Sequence, residues 1–319
     1  MTIRFRTIQA AATVLLPLFI ALSANSKDLN YGWPGHGGWS TLPFIVAAEK
    51  GLFEKEGLKV RMIAFRGTNV MLAASLAGEI DYASFLPFFV SAAARGLPVK
   101  IVGSITKSSS YAMISRPEIL SVAGLRGKRI GINSFGSSAD FAAYMAVNSA
   151  GLDPGKDVTI LPVGGGTQER LAALASGSVD ATVLTSPQEY SAEKQGYKIL
   201  VSMREMAKLA RIPITRTVVT QKKIDREPDE IVRMLRAAML LIQEQSEYGV
   251  GIFERILRVD RASAKEFYAL FREQYNTDLL LPDSVVEELL AVGTFRSKEK
   301  AKVNVQSVRD WSFAEKAKR

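Results

Sequence analysis

Short apolar runs alternate along the chain with stretches whose apolar residues recur at helical spacing. Leu29–Trp33 reads as a strand ended by Pro34 and the glycines after it. A helix follows from Ser40 or Thr41 to Lys50, closed by Gly51. Next come strand Leu58–Phe65, helix Thr68–Ala77 with Thr68 as cap and Gly78 as stop, strand Ile80–Phe85 and a short helix Val90–Arg95. Strands Val99–Ser104 and Tyr111–Ser115 are separated by the polar run Thr106–Ser110. A second series holds strand Arg129–Ile132, helix Ala139–Ala150, strand Val158–Val163 and strand Tyr197–Ser202. Strand Thr217–Thr220 then leads into helices at Pro228–Glu247, Ala262–Gln274 and Asp283–Val292. Gly249–Gly251 reads as a solvated turn and the Lys/Arg-rich tail after Arg296 as a surface helix. Strands alternating with helices predict an α/β fold with parallel sheets.

One segment occurs twice. Gly67–Asp81 is echoed about 99 positions later by Gly166–Asp180, and Gly67, Thr68, Leu72, Ala73, Ala74, Gly78 and Asp81 each meet the same residue type in the second copy. Two copies are too few for a solenoid; they predict two similar lobes with a ligand cleft between them. The chain has two places to pass between lobes, near Ser108–Arg116 and near Arg204–Arg216, and two crossings make a hinge.

The 319 residues have room for two domains, and 47% hydrophobic residues exclude disorder. Arg4 and Arg6, the apolar run Ala10–Leu22 and the small residues Ser23–Ser26 predict a cleaved secretory signal over residues 1–26. Pro17 and the shortness of the run argue against a membrane anchor. With no cysteine, the chain has neither a lipobox nor disulfides, which points to a free periplasmic protein. The net charge of +9 is dispersed, without a Lys/Arg run interleaved with aromatics, so nucleic acid is not an expected partner.

The chemistry-bearing residues favour holding over reacting. One histidine, His36, and no cysteine make a transition-metal site implausible, and no cofactor is expected. There is no G-x-S-x-G elbow and no P-loop. Four turns lead from strands into helix N-termini, where unpaired N–H groups suit anions: Gly37–Thr41, Gly67-Thr68, Ser134–Ser138 and Gly166-Thr167. Each has a plain reading as an N-cap, and Ser137 with Asp140 resembles a capping box. Trp33, Trp39, Phe85 and Phe135 are candidates to wall a pocket. Asp140 reads as complementing its helix dipole, and Asp81 and Asp180 as structural.

Ala47–Val60 resembles the "A-x-E-K-G-x-F-x-x-E-G-L-x-V" signature of the nitrate/sulfonate/taurine-type solute-binding proteins, a family that also includes binders of thiamine-pyrimidine precursors. Leu76–Ala83, Leu125–Gly131 and Leu171–Ala181 match further family motifs, up to about Ser202. The resemblance implies a type-two periplasmic binding protein fold: two α/β lobes with mixed sheets joined by two hinge crossings, closing on a ligand and docking on an inner-membrane ABC permease with its ATPase. The lobes are expected at residues 27–114 plus 215–319 and at 115–214. By the family's pattern the pocket draws on Trp33, His36, Gly38, Trp39, Ser40, Thr41, Gly67, Thr68, Ser84, Phe85, Ser134, Phe135, Gly136, Ser137, Ser138, Thr185 and Ser186. The cysteine-rich motif of pyrimidine-synthase relatives is absent. The expected role is a periplasmic substrate-binding subunit that takes a small organic anion of sulfonate or carboxylate type. A heterocycle stacked on Trp33 or Trp39, an exported enzyme using His36 and Asp140, and a receptor serving a membrane sensor are the rival readings.

Overall fold

The computed structural model describes residues 28–34, 42–65, 68–84, 88–164, 166–211, 213, 216–243, 247–292 and 304–319. The chain opens with β1 (Asp28–Pro34), α1 (Leu42–Glu49) and α2 (Leu52–Lys55). It continues through β2 (Lys59–Phe65), α3 (Thr68–Ala77), β3 (Tyr82–Ser84), α4 (Phe88–Ala94) and β4 (Val99–Ser104). The second series is β5 (Tyr111–Ser115), β6 (Arg129–Ile132), α5 (Ser138–Ser149), β7 (Thr159–Pro162) and α6 (Thr167–Ala175). β8 (Ala181–Thr185), α7 (Gln188–Lys194), β9 (Lys198–Val201) and α8 (Met203–Leu209) complete it. The chain returns through β10 (Arg216–Thr220) to α9 (Gln221–Arg226), α10 (Pro228–Gln243), α11 (Glu247–Leu257) and α12 (Arg261–Arg272). It ends with α13 (Asp283–Val292), α14 (Val305–Val308) and α15 (Ser312–Ala317).

The strands form two five-stranded sheets, β2-β1-β3-β10-β4 and β7-β6-β8-β5-β9. In each, three parallel strands are followed by one antiparallel strand, β10 or β5, which is the first strand the chain makes after passing from one sheet to the other. These are the mixed sheets of the type-two periplasmic binding fold. Strands β3 and β5 are buried at every residue, as expected of central strands covered on both faces.

The repeat occupies equivalent places, α3 into β3 and α6 into β8. Gly78 (φ 82°) and Gly177 (φ 73°) adopt the left-handed conformation that stops each helix. Asp81 Oδ2 accepts the Asn30 N–H at 2.9 Å, and Asp180 Oδ2 accepts the Arg129 N–H at 2.9 Å, each pair 51 residues apart. Each aspartate thus ties its turn to the amino-terminal part of the neighbouring parallel strand, β1 or β6, which is the structural role read from the sequence.

Three expectations change. Tyr111–Ile114, assigned above to the first lobe, pair with β8 and β9 together with Ser115 and so belong to the second sheet; the chain crosses at residues 105–110. Gly249–Gly251 lies inside α11 rather than in a solvated turn, because the Tyr268 ring of α12 packs against Gly249. The end of the basic tail is not a purely surface helix: Val305, Val308, Phe313, Ala314 and Ala317 are buried. Among the described residues no helix is long and apolar enough to cross a membrane.

Candidate functional site

Both connections between the sheets run from carboxyl edge to carboxyl edge. β4 ends at Ser104 on that edge of the first sheet, and β5 begins at Tyr111 beside Thr185 on the same edge of the second. β9 ends at Val201, and β10 starts at Arg216 beside Ser104. Six residues cannot span more than about 20–25 Å, so the two edges are close neighbours. The first crossing is held by Lys107 N–H to Gln274 O (2.8 Å) and Asn276 N–H to Ile105 O (2.8 Å).

The first sheet contributes Trp33, half-buried near the end of β1, and Ser84, buried at the end of β3. The Tyr31 hydroxyl lies 3.5 Å from Thr217 Oγ1 and beside Ser84; burial pushes this phenol far above its ordinary range, so it stays neutral. Next to them is a group the sequence reading missed. Arg216 is completely buried, its Nη2 donates to the Pro213 carbonyl, and its Nε and Nη1 have no hydrogen-bond partner. Burial pulls this guanidinium down from its ordinary range to about 9, so it remains charged at neutral pH.

The second sheet contributes the loop into α5. Ser137 caps that helix, accepting from Asp140 N–H at 3.2 Å while donating to Asn133 Oδ1 at 2.6 Å. Asp140, fully buried, returns to the Gly136 N–H at 2.9 Å. Gly136 can do this because it sits at φ 75°, a conformation that favours glycine. The proposed capping role of Ser137 holds, and Asp140 is engaged at the helix start rather than free to shuttle protons. Ser134 and Phe135 are exposed, whereas Ser138 is buried and its Oγ has no partner. The Tyr111 hydroxyl is buried against Ser138 and Arg170 and is pushed above its ordinary range by that burial. Thr185 is half-buried; Ser186 is buried and donates to Glu189 Oε1. Glu189 is only 1% exposed, its Oε2 has no partner, and burial pushes its carboxyl up to about 7.

The structure therefore brings together Trp33 and Ser84 on one edge, and Ser134, Phe135, Gly136, Ser137, Ser138, Thr185 and Ser186 on the other. His36, Gly38, Trp39, Ser40, Thr41, Gly67 and Phe85 lie outside the described residues, as does the side chain of Thr68, whose backbone opens α3. Gly166-Thr167 is turned inward: Gly166 N–H donates to Glu169 Oε2 at 2.7 Å, and Thr167 Oγ1 accepts from Arg170 at 3.3 Å. Besides Arg216, the sequence reading missed Ser110, Tyr111, Arg170 and Glu189. One signal for Arg216 was present, a lone charge abutting the apolar run of β10.

Beyond the edges, helices of the C-terminal part reach the second half. Tyr190 stacks on Phe267 with ring centres 5.1 Å apart, and Arg204 pairs with Glu273 at 3.6 Å. Here a cavity of about 520 Å³ opens between α6, α7 and α12, with Gln168, Pro187, Gln188 and Phe267 in its wall. That volume is within the range of small-molecule sites.

Residues 40–240 match the model of the family described as "NMT1/THI5 like". A "Putative aliphatic sulfonates-binding protein" of Bacillus subtilis (strain 168) is 28% identical over 294 residues, 87% of this chain and 85% of the relative. The alkanesulfonate-binding protein SsuA from Xanthomonas axonopodis pv. citri, solved bound to MOPS, superposes with a TM-score of 0.70 at 18% identity, covering 89% of this chain and 98% of its own. The desulfurization enzyme DSZB also shares the fold, with a TM-score of 0.66 at 15% identity over 91% of this chain and 98% of the enzyme.

Proposed function

Because the chain belongs to the NMT1/THI5 like family, we propose that it is the periplasmic substrate-binding subunit of an ABC importer, capturing a small organic anion between the carboxyl edges of its two sheets. The lobes of this clamshell divide at residues 105–110 and 202–215. Residues 1–26 are the signal that exports it, and the closed, loaded form docks on a permease with its ATPase. Closure is then a population shift toward the state the anion holds together.

Arg216 carries the reading. A buried guanidinium without a carboxylate is costly, by several kcal/mol after relaxation. Two free N–H-bearing nitrogens at a cleft edge are the donor pattern that a carboxylate or sulfonate accepts. The helix start at Ser138, with its unpartnered hydroxyl, offers further donors from the opposite lobe. Against an enzyme on the same fold, as in DSZB, the acid/base candidate Asp140 is committed to Gly136.

A thermal-shift panel tests this. Alkanesulfonates, carboxylates and neutral pyrimidines are each added to protein purified without ligand. An anion at 100 times its dissociation constant stabilises by about 2.7 kcal/mol, about 4 °C for a chain of this size. If pyrimidines raise the melting temperature and no anion does, the organic-anion reading fails.

A further inference from the structure

Among the described residues five acidic or basic side chains are buried: Asp140, Arg170, Glu189, Arg216 and Lys223. Two are accounted for locally. Lys223 meets Asp81 at 3.1 Å together with Glu227 and Glu230, on the edge of the first sheet away from the cleft. Asp140 holds the Gly136 N–H. Among the described residues the other three form no ion pair, Arg170 having only the electrostatic influence of its chain neighbour Glu169, and all three lie toward the carboxyl edges of the sheets.

Arg170 is 3% exposed. Its Nε donates to Val183 O at 2.9 Å and its Nη2 to Thr167 Oγ1 at 3.3 Å, so its bonds go to neutral oxygens. Its guanidinium is within electrostatic reach of the Tyr111 hydroxyl, and that hydroxyl faces the buried Oγ of Ser138 at the start of the twelve-residue helix α5. The second lobe therefore has its own anion corner, made of a cation, a phenol, the hydroxyl facing it and a helix N-terminus. Arg216 forms the corresponding corner of the first lobe. The buried acid of this half, Glu189, accepts from Ser186 and forms no ion pair with either arginine.

Resting on the anion-binding reading above, we propose that the preferred ligand is an organic dianion, a short skeleton with an anionic group at each end. Arg216 takes one end, and the corner formed by Arg170, Tyr111 and Ser138 takes the other. One charge per lobe makes the ligand itself the bridge between them. A monoanion leaves one buried guanidinium uncompensated when the lobes close, and the cleft discriminates against it on that ground.

Calorimetry of the mature chain with matched probes decides the matter: propane-1-sulfonate with one charge and 3-sulfopropanoate with two. The dianion should bind at least about tenfold more tightly, the scale of one added charge-assisted hydrogen-bonded contact. Arg170→Gln should collapse that ratio toward one. Ser138→Ala, which leaves the Ser137 cap in place, should reduce it and serves if the arginine variant does not fold. Equal binding of both probes by the parent protein overturns the dianion proposal while leaving anion capture intact. Binding of neither probe, nor of any other anion, removes both.

Discussion

Replacing Arg216 by methionine separates a ligand-binding arginine from a structural one, because the two roles predict opposite changes in stability. Burial lowers its guanidinium from its ordinary range to about 9. At 1.36 kcal/mol per pH unit, that corresponds to about 4–5 kcal/mol by which the empty protein is destabilised. Methionine fills much of the same volume without the charge. Against this gain, the Pro213 carbonyl loses its Nη2 donor, worth about 1–3 kcal/mol, and imperfect filling costs about 1 kcal/mol more. The expected net is a gain of up to about 3 kcal/mol in the unliganded chain, a rise of up to roughly 5 °C in melting temperature. Urea titration of ligand-free protein measures it, and thermal shift with propane-1-sulfonate measures binding in the same samples. Arg216→Met should be more stable than the parent and indifferent to the anion. A variant that is several kcal/mol less stable yet still shifted by the anion would refute the reasoning, since Arg216 would then be holding the fold.

Glu189→Gln should alter stability in a pH-dependent way. The folded chain keeps the proton of this carboxyl up to about 7, against 4.5 ordinarily. Its contribution is therefore full below 4.5 and is lost as pH rises through 7. The variant should match the parent at pH 4.5 and exceed it by about 3 kcal/mol at pH 8 in urea melts. Asp180→Ala removes the contacts to the Arg129 N–H and guanidinium and should cost about 1–3 kcal/mol, with no change in ligand affinity by calorimetry. Gly249→Ala would place a methyl 2.5–2.8 Å from the Tyr268 ring, so a loss of about 1–3 kcal/mol in a denaturant titration is expected.

The strands were legible because β3, β4 and β5 are short apolar runs between turn residues, and the two-lobe plan was legible because the repeat keeps its helix, its stop and its aspartate. Sheet membership was not. The run Tyr111–Ser115 reads as a strand by composition, but which sheet it joins depends on hydrogen bonds to residues about 70–90 positions away. Gly249 and Gly251 misled because low helix propensity yields to the packing of α11 against α12. Of the site, the loop Ser134–Ser138 was visible through its serines and glycine. Arg216 was not, because an arginine at a strand end is ordinarily solvated and only the tertiary fold buries it.

The position of β10 has a consequence for how the molecule comes to exist. Residues 111–201 supply every strand of the second sheet without interruption. Residues 28–104 supply four strands of the first, but β3 and β4 do not touch; their shared neighbour is made only after the whole second half. A chain emerging from its amino end therefore matures from the inside out, with the nested half able to settle while the outer half waits, split, for a strand more than a hundred residues downstream. Contacts of that sequence separation form slowly. A truncation just before Arg216 should leave one finished sheet joined to one that cannot close.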